Sequence, residues 1–290
     1  RGRVAGGSQY VAGVYGEAWR ESGDWLLTGG VRLDRWASFG GERVERDLAT
    51  SATTLDISPD DADGWQPTAR AGIRRDLGEG FLRAAAYAGF RPPTLNELHR
   101  PFRVGNDITE ANAGLEPEVL YGLEFGFGGQ GAIDWSATLF ANRLEGAVTN
   151  VTVGFGPGII TALPAGGFIP AGGVLRQRQN AGDVDAWGLE ADLGWTVSDR
   201  LRLKLSGAWT RAEVDGGSAA PQLTGLRPAQ TPELAISAQA VWTPVAPLTL
   251  RLAVRHEGDR FDDDLNTRAL SAATSADLRA DWRLTPRSEE

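Results

Sequence analysis

Residues 201–210 read Leu-Arg-Leu-Lys-Leu-Ser-Gly-Ala-Trp-Thr. Leu201, Leu203, Leu205, Gly207 and Trp209 occupy one set of alternate positions, and Arg202, Lys204, Ser206, Ala208 and Thr210 the other. Successive side chains of a strand point to opposite faces, so this is a strand with an apolar face and a polar face. The same reading holds for Trp187, Leu189, Ala191, Leu193 and Trp195 against Gly188, Glu190, Asp192, Gly194 and Thr196. It holds for Ile133, Trp135, Ala137 and Leu139 against Asp134, Ser136 and Thr138, and for Ala276, Leu278, Ala280, Trp282 and Leu284 against Asp277, Arg279, Asp281 and Arg283.

Extended along the chain, the pattern predicts about eleven strands, at 9–20, 25–37, 65–76, 81–90, 118–128, 132–148, 183–197, 201–213, 232–243, 248–258 and 275–285. Most are ten residues or longer. Strands of soluble domains commonly run about 5–6 residues, whereas a membrane-crossing β-strand needs about 9–11. The connections alternate in length. Short ones fall at 21–24, 77–80, 129–131, 198–200 and 244–247, and long ones at 38–64, 91–117, 149–182, 214–231 and 259–274. In an up-and-down meander every second connection lies on the same rim, so one rim carries tight turns and the other long loops. Outer-membrane barrels have this asymmetry; an eight-stranded soluble barrel has too few strands to match. The expected fold class is all-β, an antiparallel up-and-down transmembrane barrel. Leu203 and Leu205 are expected on the lipid side, Arg202 and Lys204 in the interior, and Trp25, Trp65, Trp187 and Trp282 in aromatic girdles near strand ends.

Composition narrows the chemistry. The chain has 290 residues, 41% hydrophobic, with 38 Gly and 10 Trp, and its mean hydropathy is −0.26. Acidic residues outnumber basic ones 38 to 29, which argues against a nucleic-acid partner. There is no Cys, hence no disulfide or thiolate site, and there are two His, His99 and His256. No cofactor is expected. The absence of Met, even at position 1, predicts a mature chain or a fragment.

Several local motifs have ordinary readings. Gly126-Phe127-Gly128-Gly129-Gln130-Gly131 matches G-x-G-x-x-G, but alternation resumes at Ala132 where a dinucleotide site needs a helix, so a tight turn is expected. The uncharged stretch from Gly146 to Leu175 has the length of a membrane helix, yet its Gly and Pro content predicts a strand end and a long loop. Asp262, Asp263 and Asp264 are adjacent, which suits a solvated loop better than a cation site. Glu97 and His99 make a weak acid–base pair, and no enzyme is expected.

Gly89-Phe90-Arg91-Pro92-Pro93-Thr94-Leu95-Asn96-Glu97-Leu98 resembles the "GFRaPtlnEL" stretch of TonB-dependent outer-membrane receptors, and Asn112-Ala113-Gly114-Leu115-Glu116-Pro117-Glu118 resembles the "NpnLkPE" stretch that follows it there. Arg176-Gln177-Arg178-Gln179-Asn180 followed by Gly188-Leu189-Glu190, and Phe261 to Thr267, are similar to later segments of siderophore-receptor-like members. Pro92 and Pro93 cannot donate to a ladder and end one strand; Pro117 precedes the next. The motifs bracket a loop. The resemblance implies a partial barrel over residues 1–290 of a probable 22-stranded whole, at about 26 residues per strand and connection, with the signal peptide, plug domain and final strands absent. It implies an outer-membrane location and TonB-energised import of a large scarce solute, most simply a ferric siderophore. The implied partners are the TonB complex, acting through the missing plug and TonB box, that solute, and outer-membrane lipid and lipopolysaccharide. A passive porin or a soluble β-sandwich binding module are the alternatives. The expected solute contacts lie on the long-loop rim, first at Arg91, His99, Arg100, Phe102 and Arg103, a basic and aromatic cluster in an acidic chain.

Overall fold

The computed structural model describes residues 2–160 and 167–284. Eleven long strands run in chain order through one antiparallel sheet. They are β1 (Gly2–Ser22), β2 (Trp25–Arg46), β3 (Ala62–Leu77), β4 (Gly80–Arg91), β5 (Glu118–Gly129), β6 (Ile133–Glu145), β7 (Asp183–Ser198), β8 (Leu201–Asp215), β9 (Leu234–Val245), β10 (Leu248–Glu257) and β11 (Ala273–Trp282). A short strand, Thr53–Ile57, pairs with the far end of β2. The sheet is open among the described residues, with β1 and β11 at its edges. No described helix is long and apolar enough to cross a membrane.

The expected meander and its two unequal rims are present. Gly126 to Gly129 end β5 rather than opening a helix. The expected limits need correction at the long-loop rim. β1 starts at Gly2 and β2 continues to Arg46, so much of the connection expected at 38–64 is itself strand. Paired chain outside a membrane needs no apolar face, so past a bulge at Gly40 and Gly41 the residues Glu42, Arg43 and Val44 resume the ladder without the alternation that marks a strand in sequence. The stretch 146–175 likewise holds strands, Val148–Phe155, Gly158–Ile160 and Gly167–Ile169. Residues 161–166 of that stretch, and residue 285 of the last expected strand, lie outside the described residues.

Register fixes which side chains share a face. On β7 and β8, Leu189 lies opposite Trp209, Leu193 opposite Leu205 and Trp195 opposite Leu203, while Gly194 faces Lys204 and Thr196 faces Arg202. Carried across the sheet, one face holds Ile133, Trp135, Ala137 and Leu139 of β6, Leu234, Ile236 and Trp242 of β9, and Leu278 and Trp282 of β11. Trp25, Trp135, Trp195, Trp242 and Trp282 of this face sit beside the tight turns; Trp65, Trp187 and Trp209 sit toward the long loops. Trp187 and Trp195 stand on one strand, about 26 Å apart along it at about 3.3 Å per residue. With the tilt of a barrel strand this is close to the apolar band of about 25 Å expected between aromatic girdles. Trp19 and Trp36 fall on the other face.

The burial pattern is inverted relative to a soluble protein. Apolar residues of the wall are open, with Val31 67% and Leu278 75% exposed. The packed core lies at the long-loop rim, where Val151, Ala181, Ala220 and Leu223 are buried together with Val214, Leu226 and Leu265 against them. A monomeric soluble domain does not leave a continuous apolar face of this extent in water.

Candidate binding rim

The long loops form a built structure rather than loose connections. A second, four-stranded sheet takes one strand pair from the 91–117 connection (Phe102–Val104 and Asp107–Glu110) and one from the 149–182 connection (Val148–Phe155 and Val174–Asn180). The two connections meet through a parallel pairing, with Leu175 opposite Ile108 and Gln177 opposite Glu110.

A helix of one turn, Leu95–His99, starts the 91–117 connection. Thr94 caps it: its hydroxyl accepts from the Glu97 N–H, and the Glu97 carboxylate accepts in return from the Thr94 N–H. Glu97 also takes the guanidinium of Arg91, which reaches Glu118 on its other side. Burial pushes the Glu97 carboxyl up, but Arg91 and Thr94 outweigh that and hold it below the usual range. Arg91 is raised by its hydrogen bond with Glu97 and, after the opposing effect of burial, by Glu118.

His99 leaves the opposite side of the helix and is buried against the sheet. Its ring fills a slot over Gly7 of β1 and Gly41 of β2: a Cβ added at Gly41 would lie 2.6 Å from His99 Cε1. Its Nε2 has no hydrogen-bond partner, and burial lowers its pKa. Beside the slot Gln9 donates to Pro93 O, and Arg3 donates to Pro101 O. Farther out along β2 in the same contact, Arg43 bridges Glu45 at 2.8 Å and Glu110 at 2.7 Å, with all three carboxylate and guanidinium groups buried. For Glu45, burial acts upward and its bonds with Arg43 and Arg3 prevail, leaving it below its ordinary value. The connection is thus bound to the polar face of β1 and β2, which makes that face the interior.

The motif residues clamp the loops to one another. Asn112 donates from Nδ2 to Arg178 O at 3.0 Å and accepts the Gly114 N–H. Asn180 accepts the Glu116 N–H at 2.9 Å and donates to Glu116 O at 2.9 Å and Gly146 O at 2.7 Å. Glu118 Oε1 accepts from the Val148 N–H. The Asp262-Asp263-Asp264 run splits three ways. Asp262 takes Gln230 and Arg268, Asp263 caps the turn through Thr267 and Arg268 N–H groups, and Asp264 accepts from both Thr152 N–H and its hydroxyl at 2.8 Å. For Asp263, burial acts upward and the Thr267 and Arg268 hydrogen bonds outweigh it. Arg176 sits between Asp107 and Asp264 and ties the three connections together.

The structure therefore separates the five sequence candidates. Arg91 and His99 are engaged in holding the loop. Arg100, Phe102 and Arg103 are exposed at its outer end, with Arg178 stacked over Phe102 at 5.1 Å and Arg103 Nε donating to Gly105 O. Glu97 and His99 point apart. The sequence alone gives no sign of the Arg43–Glu110 bridge, whose partners lie 67 residues apart; Arg176, Arg178 and Asn180 are visible only as part of a motif.

The family model described as TonB dependent receptor-like, beta-barrel, matches residues 2–288. The chain belongs to the TonB-dependent receptor β-barrel family. This receptor barrel superposes on the ferric yersiniabactin uptake receptor FyuA from Yersinia pestis with a TM-score of 0.68 at 17% identity, over 96% of this chain and 38% of that one. It superposes on the ferric-catecholate import receptor Fiu from K12 E. coli with a TM-score of 0.69 at 17% identity, over 97% and 39%. The match to the copper transporter OprC has a TM-score of 0.71 at 16% identity, over 97% and 40%. The receptor barrel thus spans about two fifths of the length of these structures, which are named as receptors or transporters. No curated protein matches it in sequence.

Proposed function

We propose that residues 1–290 form part of the wall and outer rim of an outer-membrane receptor that imports a scarce chelated metal, a ferric siderophore first, with energy delivered by the TonB complex. The observation that carries this reading is the inverted burial: an open apolar belt between two tryptophan bands, a polar interior face, and a packed core confined to the loop rim. It fits a wall that meets lipid outside and solute inside. The names of FyuA and Fiu, a ferric yersiniabactin uptake receptor and a ferric-catecholate import receptor, and of the copper transporter OprC lend support. Arg100, Phe102 and Arg103 are the rim contacts for an anionic, aromatic-bearing chelate, since guanidinium pairs with oxyanions and stacks on rings. Arg91 and His99 serve that surface by fixing the loop beneath it.

The test is iron-limited growth and radiolabelled uptake over a panel of ferric siderophores, in cells with the full-length receptor, cells without it, and cells without TonB. Uptake that needs both the receptor and TonB is expected. Uptake indifferent to TonB would make it a passive channel. In the same assay Arg100→Ala with Arg103→Ala should weaken surface binding about tenfold or more, about 1.4 kcal/mol, at normal surface expression.

A further inference from the structure

The interior face of the wall is divided by charge. On β5, β6 and β7 the inward positions carry Glu118, Glu124, Asp134, Glu190 and Asp192 and no basic residue. On the adjacent β8, β10 and β11 they carry Arg202, Lys204, Arg251, Arg255 and Arg279, against Glu257, Asp277 and Asp281. Arg251 and Arg279 are direct cross-strand neighbours and share Asp281. Arg202, Lys204 and Arg255 have no ion pair or hydrogen-bond partner among the described residues, and all are exposed. In a chain of net charge −9, this sector sets five basic residues against three acidic ones, and three of its cations stand unpaired among the described residues.

We propose that this basic sector is a conducting surface for the imported solute, which it selects as an anion, while the acidic sector of β5 to β7 repels the same solute sideways onto it. The proposal rests on the importer reading above, takes its anionic solute from there, and adds a second contact surface below the rim. Neighbouring cations stand about 7 Å apart along a strand and about 5–10 Å apart across strands, so one small molecule with several carboxylate, phenolate or hydroxamate oxygens touches more than one at once. Walls of low dielectric focus such a field and raise the local concentration of the attracted ion.

Residues 1–290 contain no cysteine, so single thiols report the local potential directly. In the full-length receptor, Gln239→Cys, opposite Lys204, and Ser136→Cys, opposite Asp192, are reacted with a negatively and a positively charged methanethiosulfonate. The anion-to-cation rate ratio should be at least about tenfold higher at 239 than at 136. Replacing Arg202, Lys204 and Arg255 together by Gln should bring the two ratios to within about twofold. The same triple variant should slow uptake of an anionic ferric chelate about tenfold, with rim affinity and uptake of a neutral chelate of similar size retained; Lys and Arg exchanged at these positions should restore the rate. Equal ratios at 239 and 136 would overturn the proposal. So would equal loss of both chelates, the mark of a packing role or of an acidic protein surface docked there. A wild-type receptor that imports neither chelate would refute the importer reading instead, and the thiol ratios would still decide whether the sector exists.

Discussion

At Gly41 the absence of a side chain is what admits the His99 ring, so a methyl group there competes with a rigid, buried imidazole. Gly41→Ala should weaken docking of the 91–117 connection by about 1–3 kcal/mol, as overpacking does elsewhere, seen as faster hydrogen exchange over 94–112 with the wall unaffected. The same imidazole makes the contact sensitive to acid. Burial favours its neutral form, so docking is full above the ordinary histidine pKa of about 6.5 and weakens as pH falls below it. Among the described residues, Asp60 is the only carboxylate lining the small cavity beside the ring. Protection over 94–112, taken relative to the intrinsic exchange rate at each pH, should therefore fall between pH 7.5 and 5.5 in the wild type and stay level in His99→Gln. Asn180→Ala removes the amide that joins Glu116 to Gly146. It should destabilise the rim by about 1–3 kcal/mol, the cost of leaving such groups unpaired. None of these roles is written in the residues alone. Arg91 reads as a free cation in sequence because Glu97 and Glu118 become its neighbours only when the loop folds.

The strands were the most legible elements, for a physical reason: inside a membrane the alternation is enforced at every position, so β7 and β8 declare both their length and their faces. Leu205 lies midway between the Trp bands on the lipid side, and Lys204 beside it faces inward. Leu205→Arg should cost about 2–4 kcal/mol, the penalty of a guanidinium near the bilayer midplane. Lys204→Gln should leave stability within about 0.5 kcal/mol. Denaturant unfolding of the full-length receptor in lipid checks both. Spin labels at 203 and 204 should be quenched by lipid-soluble and water-soluble relaxers respectively. Above the belt that enforcement ends. The extension of β2 to Arg46 and the small sheet joining Ile108 to Leu175 are held by hydrogen bonds and ion pairs that leave no periodic trace. For the same reason the rim was recognisable as the place of the long loops, through connection length and motif, while its internal wiring was not.

As a whole the described wall is a sheet with two edges, β1 and β11. Each edge presents backbone N–H and C=O groups without partners, and each such group costs several kcal/mol in hydrocarbon. Residues 1–290 expressed alone should therefore aggregate or pair edge to edge and give no discrete single-channel conductance as a monomer; planar-bilayer recording of the purified fragment checks this. The unequal reach of the wall has a different consequence. β2 is 22 residues long, about 73 Å at about 3.3 Å per residue, and an apolar band of about 25 Å accounts for less than half of its height even when the strand is tilted. The remainder, with its turn at Asp47 and the returning strand Thr53–Ile57, stands as a stiff mast. On a cell whose outer leaflet is covered with sugar chains, that mast rises into and through the carbohydrate layer. An antibody or a phage tail arriving from outside would meet the hairpin around 47–52 well before it could touch the loop rim.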